Sequence, residues 1–78
     1  MLLRVEFTIE PFAQGDLGPH VRAAVDATER SGLAVELGPA VTAVSGDEEA
    51  VLTAVDGIVR AATADGATRV SLQVVRGG

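Results

Sequence analysis

Between Arg4 and Glu10 apolar and polar positions alternate, with Val5, Phe7 and Ile9 set against Arg4, Glu6, Thr8 and Glu10. A period of two predicts a strand with one apolar face and one face of charge and hydroxyl. The pattern then changes period. Leu17, Val21, Ala24, Val25 and Thr28 fall on one helical stripe, which predicts a helix from about Pro19 to Ser31. Gly18 suits its N-cap, Pro19 its first turn, and Gly32 the left-handed residue that ends it. A strand LAVEL follows. Gly38-Pro39 interrupts the extended run, and Val41 to Val44 resume it as a third strand. Val51, Leu52, Val55, Ile58, Val59 and Ala62 form the core stripe of a second helix from about Glu48 to Asp65. Its start is signalled twice, by a Ser45-x-x-Glu48 capping box and by Asp47, and Gly66 closes it. The last strand, TRVSLQVV, sets Val70, Leu72 and Val74 against Arg69, Ser71, Gln73 and Val75.

Strand, helix and strand twice over in 78 residues is the order of a ferredoxin-like α+β sandwich, βαββαβ, as a single domain over residues 1–78. Two helices cover one side of a four-stranded antiparallel sheet. The apolar strand faces are expected to meet the helices, leaving Glu6, Thr8, Glu10, Glu36, Thr42, Ser71 and Gln73 on the bare side. Placing Thr42 there requires Val41 and Ala43 to turn inward and Val44 outward.

A chain this short has little surface to bury, and it contains no Cys, so neither disulfides nor thiolate metal sites reinforce it. Self-association into a homodimer or homotetramer is the expected reinforcement. The amino terminus enters a strand directly, with no apolar run long enough for a signal peptide or membrane span, which makes the cytoplasm the expected address. A formal net charge of −5 repels phosphate backbones and anionic lipid and tolerates cationic or neutral partners. Nucleic acid and membrane are therefore not expected partners. Small RNA-binding modules of this fold class display exposed aromatics and basic residues, whereas this chain has two Phe, no Tyr and no Trp.

Candidate chemistry is sparse. Glu6 and Glu10 stand about 13 Å apart along a strand at roughly 3.3 Å per residue, too far to act as an acid–base pair on one bond. A carboxylate on an enclosed sheet can instead accept a charge-assisted hydrogen bond from an amino-bearing or protonated heterocycle, with a neighbouring hydroxyl such as Thr8 fixing its orientation. The competing reading is a solvated strand face. His20 is the sole histidine, so one chain cannot build a multi-histidine metal site, and a first-turn position suits simple exposure. Asp47, Glu48 and Glu49 resemble a metal cluster but are explained by the dipole of the helix they begin. Phe12, after Pro11 at a strand end, is either core edge or a flat surface on which a ring can stack. Nucleophile elbow, phosphate-cradling loop and Ser/His/Asp arrangement are all missing, so no enzyme and no resident cofactor are expected.

The stretches RVEFTIEPF, SGLAVELGPAVTAVSG and GATRVSLQV resemble the small thiamine-binding proteins, single-domain relatives of tandem proteins that bind thiamine and its hydroxymethylpyrimidine precursor. The resemblance runs through nearly the whole chain. Its most specific parts are Pro11, Ser31 to Leu33, Gly38-Pro39 with Thr42, and Gly66 to Val70. It implies a ferredoxin-like subunit assembled through its sheets, without catalysis, that binds a thiamine-type ligand near subunit contacts. A middle motif that commonly reads Gly-Pro-x-x-Thr-x-x-Glu-Gly has Ser45 at the Glu position here, which removes any contact made through that acid. Thiamine carries a cationic thiazolium and an aminopyrimidine with both a donor and an acceptor. The ligand-binding residues expected for it are Glu6, Thr8, Glu10, Phe12, Thr42, Ser71 and Gln73. The alternative is a homo-oligomeric assembly or regulatory module with no dedicated small molecule.

Overall fold

A computed structural model describes residues 1–10, 18–38 and 41–77. The elements run β1 (Leu2–Glu10), α1 (Pro19–Arg30), β2 (Ala34–Leu37), β3 (Thr42–Asp47), α2 (Glu48–Ala64) and β4 (Arg69–Arg76). The sheet has the order β2-β3-β1-β4 with every neighbouring pair antiparallel. This is the ferredoxin-like sandwich that the two periodicities predict. No helix is long and apolar enough to cross a membrane among the described residues.

The core forms where α2 presses on the two central strands and α1 packs beside it, toward β2. Leu3, Val5, Phe7 and Val44 meet Val51, Val55 and Ile58 of α2, and a second cluster joins Val21 and Val25 of α1 to Ala62. Every alternate residue of β1 thus lies under the helices. Gly32 and Gly66 have positive φ values of 93° and 89° just beyond the two helices, the conformation a side chain resists and glycine accepts.

Three expectations need correction. Thr42 does not lie on the bare face: it is opposite Phe7, and Val44 is opposite Val5, so both point toward the helices, while Ala43 faces away. Burying Val44 completely is worth about 1.5–3 kcal/mol, and half-burying one threonine hydroxyl does not offset that. Second, the apolar face of β4 is not covered. Val70 still packs beside the Val21 and Val25 cluster, but Leu72 and Val74 are 46% and 56% exposed. Third, Leu52 belongs to the solvent side of α2. The second helix is capped by Asp47, whose carboxylate accepts from the Glu49 N–H at 3.2 Å, and β3 runs on to that residue.

Candidate functional site

Antiparallel partners share a face, so the register fixes what the bare side presents. One row crosses all four strands: Glu36 on β2, Ala43 on β3, Glu6 on β1 and Gln73 on β4 are successive cross-strand neighbours. Thr8 and Ser71 form the adjacent pair. Ala43 is the small member of the row, with a carboxylate-bearing strand on each side. At the ordinary strand spacing Glu36 and Glu6 are rooted roughly 10 Å apart across it. The result is an open concavity of about 700 Å³ lined by Arg4, Glu6, Thr8, Glu36, Gly38, Val41, Ala43, Ser71 and Gln73 among others. That volume lies within the range of small-molecule sites.

Arg4 organises the charge. Its guanidinium donates to Glu36 at 2.9 Å and reaches Glu6 at 3.4 Å, joining residues 32 apart in sequence. Its hydrogen bond to Glu36 and that carboxylate's charge raise the Arg4 pKa further, and the same bond holds the Glu36 carboxyl below its ordinary range. Two carboxylates against one guanidinium leave the groove with an excess of acceptors. Among the described residues no group of three His, Asp or Glu side chains is placed to hold a metal.

Of the residues expected to bind ligand, Glu6, Thr8, Ser71 and Gln73 come together in this groove. Glu10 stands outside it, 3.9 Å from Arg69 at the far end of β1, and Thr42 is on the opposite side of the sheet. Phe12 lies outside the described residues. Arg4, Glu36 and Ala43 were missed as site residues. Alternation puts Arg4 on the same side as Glu6, but the neighbours it meets depend on pairing that local periodicity does not encode. Ser45 is opposite Arg4 on this face, so the position at which the resembled motif carries Glu borders the groove.

A second polar cluster lies at the helix end of the molecule. The Asp65 carboxylate, just beyond α2, accepts from the N–H groups of His20 at 3.2 Å and Val21 at 3.0 Å, and also contacts the His20 ring. It thereby caps α1 from the end of the other helix. Gly18 permits this approach, since a Cβ there would collide with the Asp65 carboxylate. Burial pushes the Asp65 carboxyl up, but hydrogen bonds from Val21 and His20 outweigh it and hold the pKa below the ordinary range.

The family model for thiamine-binding proteins matches residues 5–75. The chain belongs to that family. No curated protein matches it. Among solved structures it is similar to a domain of unknown function from Bacillus cereus, at 23% identity and a TM-score of 0.61, over 95% of this chain and 72% of that one. A Streptococcus pneumoniae protein aligns at 18% identity and a TM-score of 0.59, over 96% and 83% of the two chains. A Thermotoga maritima protein described as a candidate in thiamine biosynthesis or salvage aligns at 20% identity and 0.51, over 96% and 81%. At such identities the likeness shows the shared fold, and membership of the family rests on the model match.

Proposed function

We propose that this protein binds thiamine, or its hydroxymethylpyrimidine part, in the groove on the bare face of the sheet, as a non-enzymatic carrier, buffer or sensor. One observation supports the reading above the rest. In a chain of the thiamine-binding family, the carboxylates of Glu6 and Glu36 flank a depression floored by Ala43, with Thr8, Ser71 and Gln73 beside it. Carboxylates accept from the exocyclic amine and offset the thiazolium charge, while the hydroxyls and the Gln73 amide donate and accept as the ring requires. The uncovered Leu72 and Val74 favour a homo-oligomer, in which a second copy shields them. Cytoplasmic location is part of the same proposal.

Calorimetric titration with thiamine and hydroxymethylpyrimidine tests it. Binding to the native protein is expected, accompanied by a rise in Tm because the ligand binds the folded state alone. Glu6→Gln is expected to weaken binding about tenfold or more, the scale of one charge-assisted hydrogen bond. Ala43→Leu fills the floor without altering charge and is expected to abolish binding. Equal affinity in all three proteins would place the ligand elsewhere, and no binding at submillimolar concentration would favour an assembly module instead.

A further inference from the structure

The groove's ligand can come with or without phosphate on its hydroxyethyl arm, and the two forms differ in the sign of their net charge. Unphosphorylated thiamine is a monocation. Each phosphate ester adds about −1.5 to −2 near neutral pH, so the esters are anionic overall. Proteins receive phosphate at unpaired Arg or Lys side chains and at helix N-termini with free N–H groups.

On the bare face and at the starts of both helices, groups of the protein itself already engage these receptors. On the bare face, Arg4 is held between Glu36 and Glu6, and Arg69 stands 3.9 Å from Glu10. Those are the two arginines that the register places on this side, against the four carboxylates of Glu6, Glu10, Glu36 and Asp47. Arg76 is opposite Leu3 and so lies on the helix side, Arg22 and Arg30 are on α1, and Arg60 of α2 pairs with Asp56. The N-terminus of α1 is filled by Asp65, which takes the N–H groups of His20 and Val21. At the start of α2, the Glu48 N–H donates to the Met1 carbonyl and the Glu49 N–H to Asp47, with Glu48 and Glu49 adding negative charge in the first turn.

Resting on the ligand reading above, we infer that the groove is selective for the unphosphorylated, cationic form of its ligand and rejects the phosphate esters. Arg4 acts in this as a positioning residue. It orients the carboxylates of Glu6 and Glu36 and is itself withdrawn from phosphate by them. An ester placed in the groove would have to break the Arg4 pair and leave a carboxylate facing the phosphate.

The test is parallel calorimetric titration of thiamine, thiamine monophosphate and thiamine diphosphate, each with and without magnesium. Thiamine is expected to bind about tenfold or more tightly than the monophosphate, and the diphosphate to bind weakest, with the gap narrowing as salt screens the carboxylates. Glu36→Gln loosens the hold on Arg4 and is expected to shrink the ratio at least threefold, with circular dichroism unchanged. Diphosphate binding as tight as that of thiamine, or a rise in Tm caused by pyrophosphate alone, would overturn the selectivity while leaving the ligand reading in place. Failure of all three to bind would remove the ligand reading and this inference with it.

Discussion

β1 and β4 are hydrogen-bonded neighbours with the same alternation of apolar and polar residues, yet they meet opposite fates. Val5 and Phe7 on β1 are 0% and 3% exposed, whereas Leu72 and Val74, directly opposite them on β4, are 46% and 56% exposed. The difference is not in the strands. It comes from where the helices rest: α2 packs on β1 and β3, α1 packs on β2, and beyond Val70 β4 is left with β1 as its support. Alternation therefore identifies which residues share a face, and the placement of the helices decides whether that face is dry.

The contrast can be broken most forcefully at Phe7. Phe7→Ala removes a buried ring between both central strands and α2 and is expected to cost about 3–5 kcal/mol at every protein concentration, read by urea denaturation. Leu72→Ala, its exposed cross-strand partner, is expected to cost less than about 0.5 kcal/mol in dilute solution. If a second copy shields β4, that smaller cost grows with protein concentration, because association stabilises by mass action. A Leu72→Ala effect that equals Phe7→Ala at high dilution would contradict the account of the cover.

A smaller effect concerns what fastens the helices together. Asp65 of the α2 terminus holds the first turn of α1, and its carboxyl titrates below the ordinary range. A group whose folded pKa is depressed adds stability above its unfolded pKa, and that share is lost as pH falls through the folded value. The Asp65 contribution is thus expected in full above about pH 4 and to fade below it. Asp65→Asn is expected to lower Tm at pH 7 and to flatten the fall in Tm as the pH drops below about 4, as measured by thermal melts. A fall as steep as that of the native protein would mean that another carboxyl governs the acid response.

Much of the fold is legible along the chain because each element announces its period and its punctuation. The β1 alternation, the apolar stripes ending at Gly32 and Gly66, and the second alternating strand suffice for the βαββαβ order. The register of β3 is not legible. Val41, Ala43 and Val44 are all apolar, so either register turns at least one apolar side chain toward the helices and at least one away from them. What decides is the opposite strand: Val44 fits against Val5, and Thr42 is carried to the helix side with it. The candidate site divides in the same way. Glu6, Thr8, Ser71 and Gln73 were readable from alternation within their own strands. The ion pair of Arg4 with Glu36, the floor provided by Ala43 and the cap that Asp65 places on α1 all join residues distant in sequence, and no local pattern encodes them.

The claim on which the account depends is that the side of the sheet without helices receives the ligand. Amide chemical-shift mapping during titration with thiamine tests it most directly. The resonances of Glu6, Thr8, Ala43, Ser71 and Gln73 are expected to move together and saturate, while those of Val21, Val25 and Ile58 beneath the helices stay in place. Shifts confined to the helices, or a spectrum unchanged at saturating thiamine, would contradict it.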